Sequence, residues 1–438
     1  MILSAKIEKL LLPITSSNLL RSSGIYTISS FINAALPLIL LPILTRKLSP
    51  EDYGIVAMFQ IAVSLIYPFI GMNLESSIGR KYFDKDYSDF PSYIGNCFFL
   101  VGISFSIVTV LFWLNIDYIQ KITLISESWL KYILLVAVTQ FITTVVLIIY
   151  RVKVKPIKYG ILQISQSILN VGLTILFVVV LNKTWDGRIG AQIITSVVFA
   201  IISVIVLYNI KHLSFNIKKA DIQHALKFGV PLIPHAIGGM LFTSIDRFFL
   251  TKLIGLEQTG NYTVAYQIGA VIGIITTSFN NAYGPWLFEK LNRDDLQIKK
   301  RIVSFTYIYF ILLFIGGMFL VFLFPFISAI FVGESYTSTG THSTFIILGY
   351  VFQGMYFMVT NYIFYSHKTH ILAFVTISVG LIKIPITYYA ILWAGAVGAS
   401  ISFGISWLLF FFSTWILSSR VYKMPWINFF NKPVNNAN

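Results

Sequence analysis

WDGRIGAQI (residues 185–193) and WAGAVGASI (residues 393–401) share the frame W-x-G-x-[IV]-G-A-x-I, 208 positions apart in a chain of 438. A second pair keeps nearly the same offset: TRKLSPEDYG at 45–54 stands against TKLIGLEQTG at 251–260, 206 positions on. Thr45/Thr251, Glu51/Glu257 and Gly54/Gly260 are identical, and Arg46/Lys252 and Leu48/Ile254 are similar. Two short matches at nearly one offset are far less expected by chance than either alone, so the chain reads as a duplication. The repeat is clear at these turns and weak elsewhere. Pro37 and Pro42 of the first half do not align with Pro231 and Pro234 of the second.

What is duplicated follows from composition. The chain is 56% hydrophobic and only 11% charged, with a mean hydropathy of +0.79, whereas soluble domains carry about 25% charged residues. Uncharged runs long enough for the ~20 apolar residues of a membrane crossing recur along its whole length. They predict twelve helices near 22–45, 53–74, 92–114, 129–150, 158–181, 189–209, 228–251, 260–283, 302–325, 343–366, 370–391 and 395–418. The pair at 45–54 and 251–260 then joins helices 1 and 2 and again 7 and 8, and the W-x-G pair opens helices 6 and 12. The expected fold is an all-α polytopic membrane protein of two six-helix halves. Six crossings return the chain to its starting side, so the halves are parallel repeats about an axis along the membrane normal, with a substrate site expected at their interface.

The net charge of +15 is a topology signal. Lys and Arg fall twenty-three on one side of the predicted spans and six on the other, which by the positive-inside rule places both termini in the cytoplasm. No soluble basic domain exists to carry nucleic acid, so that partner is excluded. The expected organisation is an N-terminal interfacial segment at 1–21, a lobe at 22–210, a cytoplasmic linker at 211–227, a second lobe at 228–420 and a tail at 421–438. The N-terminal segment, apolar with Lys6 and Lys9, lacks the cleavage site of a removed signal peptide. The one cysteine, Cys97, allows no intramolecular disulfide and reads as a small buried apolar residue.

With LTRKLSPEDYG at 44–54, SIGRKYF at 77–83 and IDRFFLTKLIGLEQTGNY at 245–262, the chain resembles the oligosaccharide flippases. These are the O-antigen and capsule repeat-unit (Wzx-type) flippases of the multidrug/oligosaccharidyl-lipid/polysaccharide exporter superfamily. The resemblance covers essentially residues 20–420 and rests on structural landmarks, which indicate superfamily more firmly than substrate. It implies translocation of undecaprenyl-pyrophosphate-linked oligosaccharide from the inner to the outer leaflet of a bacterial inner membrane by alternating access. Membrane lipids, a polymerase and other surface-polysaccharide assembly proteins are its implied partners. Lipid II flippases of the superfamily usually have fourteen helices, against twelve here.

Charges inside a span cost about 2.5–3.5 kcal/mol each on insertion scales and so mark functional candidates. Asp246 and Arg247 in helix 7 and Lys383 in helix 11 qualify. Adjacent helical residues point ~100° apart, so Asp246 and Arg247 do not easily pair with each other, and one or both must face something else. In one reading Arg247 and Lys383 attract the pyrophosphate within a hydrated lumen; in the other Asp246 bridges Lys383 or Arg247 and locks the structure. Glu75 and Arg80, where helix 2 exits, are candidates for an inner gate. Polar stripes at helical spacing suggest the lumen wall: Ser23, Tyr26, Ser30 and Asn33; Gln60, Ser64, Tyr67 and Gly71; Gln163, Ser167, Asn170 and Thr174; Gly273, Thr276, Thr277 and Asn280. For any one of these, interhelical hydrogen bonding is the simpler role. His235, eleven residues before Asp246, is a candidate for proton coupling beside Pro231 and Pro234, which are expected to bend helix 7.

His367 and His370 lack the further ligands that a metal site needs. No phosphate-binding glycine loop is present, so direct ATP use is not expected, and no cofactor is implied beyond an ion gradient. A cation-coupled multidrug and toxin extrusion antiporter is the alternative function, but it favours acidic lumen residues, and Asp246 is the sole acid deep in a predicted span. A membrane glycosyltransferase, polymerase or ligase would need a sizeable outer loop with catalytic groups. Every predicted outer loop is short, so no enzyme activity is expected.

Overall fold

The computed structural model describes residues 18–84, 89–211, 213–214, 216–293 and 295–427, with the side chains of 18–23 and Thr27 outside the description. Most of the expected interfacial segment 1–21, the end of the tail and the side chain of Ser23 therefore lie outside the described residues. Every regular element among the described residues is helical, and twelve helices are long and apolar enough to cross a membrane. Each predicted span finds its helix. The chain divides into two compact units between Met240 and Leu241.

The first unit begins with α1 (Asn18–Lys47), α2 (Pro50–Gly71), α3 (Leu74–Lys81) and α4 (Phe90–Leu114). It continues with α5 (Ile116–Thr123), α6 (Glu127–Val152), α7 (Pro156–Ile175), α8 (Trp185–Asn209) and α9 (Lys219–Gly229). Local chemistry sets the joints. Ser49 caps α2 through a reciprocal box with Asp52, and Pro50 occupies its first turn, an arrangement that contributes about 1 kcal/mol. The centre of the unit is α6, whose Phe141, Val145, Val146 and Ile149 have no exposed surface and which packs on α2 and α8.

The short helix α9 falls in the stretch expected as a linker, yet it is docked on α4. Asn96 donates to the carbonyls of Ser92 and Asn216, each at 2.9 Å, and accepts from the Lys218 N–H at 3.2 Å. The Tyr93 hydroxyl meets His224 Nδ1 at 2.8 Å and the Ser77 hydroxyl at 2.5 Å. Lys218 also pairs with Asp89, whose carboxyl that hydrogen bond holds below the usual carboxylate range. A 3-10 turn at Val230–Leu232 then leads onward, at the place where Pro231 and Pro234 interrupt α-helical hydrogen bonding.

The second unit takes up most of α10 (Ile233–Leu253) and adds α11 (Leu256–Leu291), α12 (Leu296–Phe331), α13 (Thr339–Tyr365), α14 (Thr369–Ala394) and α15 (Ala396–Val421). Its axis is α13, in contact with α11, α12 and α15. Lipid offers no hydrophobic gain for helix pairing, so small residues that let backbones close matter more. A Cβ on Gly273 would stand 2.8 Å from the Tyr350 ring, and one on Gly354 would stand 2.6 Å from Leu313 and Thr276 side chains. The outward stripe of α12, with Ile308, Ile311, Leu312 and Ile315 exposed, is what a bilayer accepts and water does not.

The repeated phrases occupy equivalent tight places. Thr45 and Thr251 are both buried, the first donating to the Leu41 carbonyl at 2.9 Å and the second meeting the Thr259 hydroxyl at 2.8 Å. Gly187 and Gly398 are both buried, and a Cβ on Gly187 would press on Lys183 at 2.6 Å. The turns differ in detail: Trp185 opens α8, while Trp393 lies in the last turn of α14 and Gly395, at φ 59°, makes the turn alone.

Candidate functional site

Four of the expected lumen residues converge in the first unit. Asn33 of α1, Gln60 of α2 and Gln163 and Asn170 of α7 line one cavity of about 400 Å³. Sequence reasoning missed three further amides there, Gln140 of α6, Gln166 of α7 and Gln192 of α8. The convergence follows from helical periodicity, since each helix turns its polar stripe inward. Asn33 accepts from the Ser167 hydroxyl, and Gln60 donates to Gln192 at 2.5 Å. Pro37 also lines the cavity; lacking an N–H, it leaves the Asn33 carbonyl without its helical donor. Gln163 Oε1 is buried without a hydrogen-bond partner. A wall of amides, each both donor and acceptor, matches the chemistry of sugar hydroxyls.

The same cavity holds Arg188, its one charged lining side chain. Its guanidinium donates to Asn170 Oδ1 at 3.1 Å and reaches Thr174 Oγ1 at 3.5 Å. No carboxylate pairs with it among the described residues. Asp186, two residues away, instead accepts from the Thr184 N–H at 3.0 Å. Arg188 also stands in the first turns of α8, where the helix dipole disfavours a cation. A guanidinium kept there without an acid is costly as structure and useful as an anion receptor. The available sequence signal was the mismatch between copies: Arg188 occupies the position that is Ala396 in the second phrase.

In the second unit Asp246 and Lys383 form an ion pair at 2.7 Å with both side chains fully buried. The Asp246 carboxylate also accepts from the Tyr262 and Thr387 hydroxyls, each at 3.2 Å, while Lys383 donates to the Phe242 carbonyl. The ammonium lies 4.8 Å from the centre of the Phe242 ring and 5.5 Å from that of Phe403. Lys383 thus has a full set of internal partners. Arg247 turns away, as helical geometry requires, and lies half-buried with its guanidinium 4.2 Å above the Tyr266 ring and its Nε without a hydrogen-bond partner.

The remaining candidates are scattered. Asn280 accepts from Asn361 at 2.8 Å within the second unit. Glu75 is buried in α3, and burial holds its carboxyl above the ordinary range, a bond from Tyr67 offsetting part of the shift. Arg80 is exposed on the same short helix, and no ion pair joins it to Glu75 among the described residues. His235 is exposed at the start of α10.

The sequence profile of a family described as "Polysaccharide biosynthesis protein" matches residues 19–291. An "Uncharacterized membrane protein" of Haemophilus influenzae is 25% identical over 373 residues, covering 82% of this chain and 87% of the relative. "Capsular polysaccharide biosynthesis protein CapF" of Staphylococcus aureus is 23% identical over 280 residues, 62% of this chain and 66% of the relative. Among solved structures, "Lipid II flippase MurJ, inward closed conformation" aligns with TM-score 0.71 and 15% identity, covering 90% and 87% of the two chains. An inward-facing "multidrug resistance MATE family transporter of the MOP superfamily" aligns with TM-score 0.63 and 16% identity, covering 90% and 95%. At those identities the likeness is one of fold.

Proposed function

The chain belongs to the polysaccharide biosynthesis protein family, and from that premise we propose that it is a flippase for lipid-linked oligosaccharide. In this reading it moves repeat units joined to undecaprenyl pyrophosphate from the inner to the outer leaflet of a bacterial inner membrane by alternating access, drawing on an ion gradient. The single observation that carries the proposal is the amide-lined cavity of about 400 Å³ whose one charged lining side chain is Arg188. Amides suit sugar hydroxyls, and an unpaired guanidinium suits an acidic or phosphorylated group, which it grips through two parallel hydrogen bonds. Arg247, also without an acid partner among the described residues, is the second cation assigned to the cargo. Lys383 is assigned a structural role as the counter-ion of Asp246. The same pairing speaks against the cation antiporter, because Asp246, the acid such a transporter would use, already holds Lys383 and two hydroxyls.

The test uses proteoliposomes carrying a fluorescent sugar on a polyprenyl diphosphate, with outward appearance followed by accessibility to a membrane-impermeant reagent. Arg188→Gln is expected to slow appearance about tenfold or more, the equivalent of one lost charge-assisted contact. Arg188→Lys keeps the charge and loses the fork, and should fall between. Wild-type rates in Arg188→Gln would remove the proposal, as would efflux of a cationic dye that competes with the sugar lipid.

A further inference from the structure

The second unit holds a separate hollow of about 800 Å³, within the range that ligand pockets occupy. Its floor is aromatic. Phe279, Tyr283 and Trp286 of α11 recur at helical spacing and meet Phe305 of α12. The rings lie nearly flat on one another: Phe279 and Tyr283 at 5.7 Å and 16°, Tyr283 and Phe305 at 6.1 Å and 24°. Tyr309 extends the plate, 4.9 Å and 18° from Phe279. A face meant only for bulk lipid needs no such stacked plate.

The hollow is also lined by three cations, Lys290, Arg293 and Arg301. Glu289 lies 3.5 Å from Lys290 and 3.9 Å from Arg293 and is 65% exposed, so these are loose surface pairs of little energetic weight. Arg301 has no acid partner among the described residues. Asp295 is occupied in capping α12, accepting from the Gln297 N–H at 2.7 Å. Among the described residues no acid lines the hollow, so the charged lining at one end of this apolar trough is wholly cationic.

We infer that this groove docks a polyprenyl diphosphate, its first isoprene units on the aromatic plate and its diphosphate on Lys290, Arg293 and Arg301. A polyprenyl diphosphate carries at least two negative charges and a phosphodiester phospholipid one, so a lining of three cations favours the first. Flat trisubstituted alkenes with methyl branches suit a stacked aromatic floor better than a saturated chain does. The groove would hold the carrier end of the cargo. The inference rests on the reading of the cargo as lipid-linked sugar, but it concerns different residues from the amide cavity.

The experiment uses the full-length protein in nanodiscs, with undecaprenyl diphosphate and phosphatidylglycerol supplied together and retention read by native mass spectrometry. Arg293→Gln combined with Arg301→Gln is expected to weaken undecaprenyl diphosphate about tenfold or more while phosphatidylglycerol changes by less than about twofold. Trp286→Leu with Phe305→Leu keeps the charges and should weaken undecaprenyl diphosphate but leave inorganic pyrophosphate unaffected. Undiminished retention in either variant overturns the inference. An equal fall for both lipids overturns it too, leaving an unselective anionic-lipid patch. Both variants retain Arg188 and its cavity: a protein that flips sugar lipid yet ignores these substitutions sinks the groove alone, whereas a wild type that flips none sinks the reading beneath it.

Discussion

Replacing Lys383 by methionine tests whether the buried pair is framework or transport machinery. The substitution keeps an unbranched stem of similar length and removes the ammonium. Asp246, with no exposed surface, then keeps only the Tyr262 and Thr387 hydroxyls, each at 3.2 Å, as donors. Hydrogen bonds from neutral hydroxyls to a carboxylate contribute about 1.5–3 kcal/mol each, while breaking a buried ion pair from one side costs about 3–5 kcal/mol. For a cooperative unit of this size, that corresponds to a fall of about 6–20 °C in Tm. Adding Asp246→Asn removes the stranded charge, and the double variant should recover most of the loss, because a buried pair is worth little more than a neutral filling of the same volume. The assay is thermal unfolding of the detergent-solubilised protein followed by tryptophan fluorescence. A single variant that melts with the wild type, or a double variant that melts as low as the single, would refute the reasoning. Unchanged melting with transport lost would hand Lys383 back to the cargo.

Two further outcomes are expected. Asn96→Ala removes the bonds that dock the segment before α9, worth about 1–3 kcal/mol together; trypsin should cut near Lys218 and Lys219 several times faster, and an unaltered digestion rate would count against docking. Glu75, whose carboxyl burial holds above its ordinary range, favours the protonated form in the fold. Its contribution is complete below the unfolded value of about 4.3 and is lost as pH rises through the folded one. Glu75→Gln should therefore melt higher than the wild type at pH 8, with the gap closing towards pH 4; a gap constant with pH would contradict the assignment.

Much of the architecture was legible because a bilayer imposes length and apolarity on every span, and both are written in the sequence. What the bilayer does not impose was harder to read. The helices α3, α5 and α9 are short and amphipathic, so an apolar-run criterion passes over them. The charged stretch that closes α11 at Leu291 continues the helix well past the predicted 283, because Glu and Lys are good helix formers. Asn33, Gln60, Gln163 and Asn170 were found together because each marks the polar face of its helix. Asn280 shares that pattern yet meets Asn361 instead. Asp246 and Lys383 are 137 positions apart, and nothing local fixes the rotation of α14 against α10, so the choice of partner stayed open until the fold was built. Arg188 was missed because the sequence counts it as a loop cation beside a glycine turn, whereas its long side chain carries the charge inward from the first turns of α8.

The amide lining of the cavity has an energetic corollary. Arg188 is the one charged lining side chain, so an anionic cargo crossing there leaves with its negative charge and brings no lining proton with it. Each elementary charge moved across a membrane potential is worth about 2.3 kcal/mol per 100 mV. For a diphosphate diester expelled from a negative interior, that is close to 5 kcal/mol per 100 mV in the outward direction, before any coupling ion contributes. Under the proposed function the resting voltage would itself be a source of vectorial work, and dissipating it with an ionophore should slow export of a charged glycolipid more than export of a neutral one.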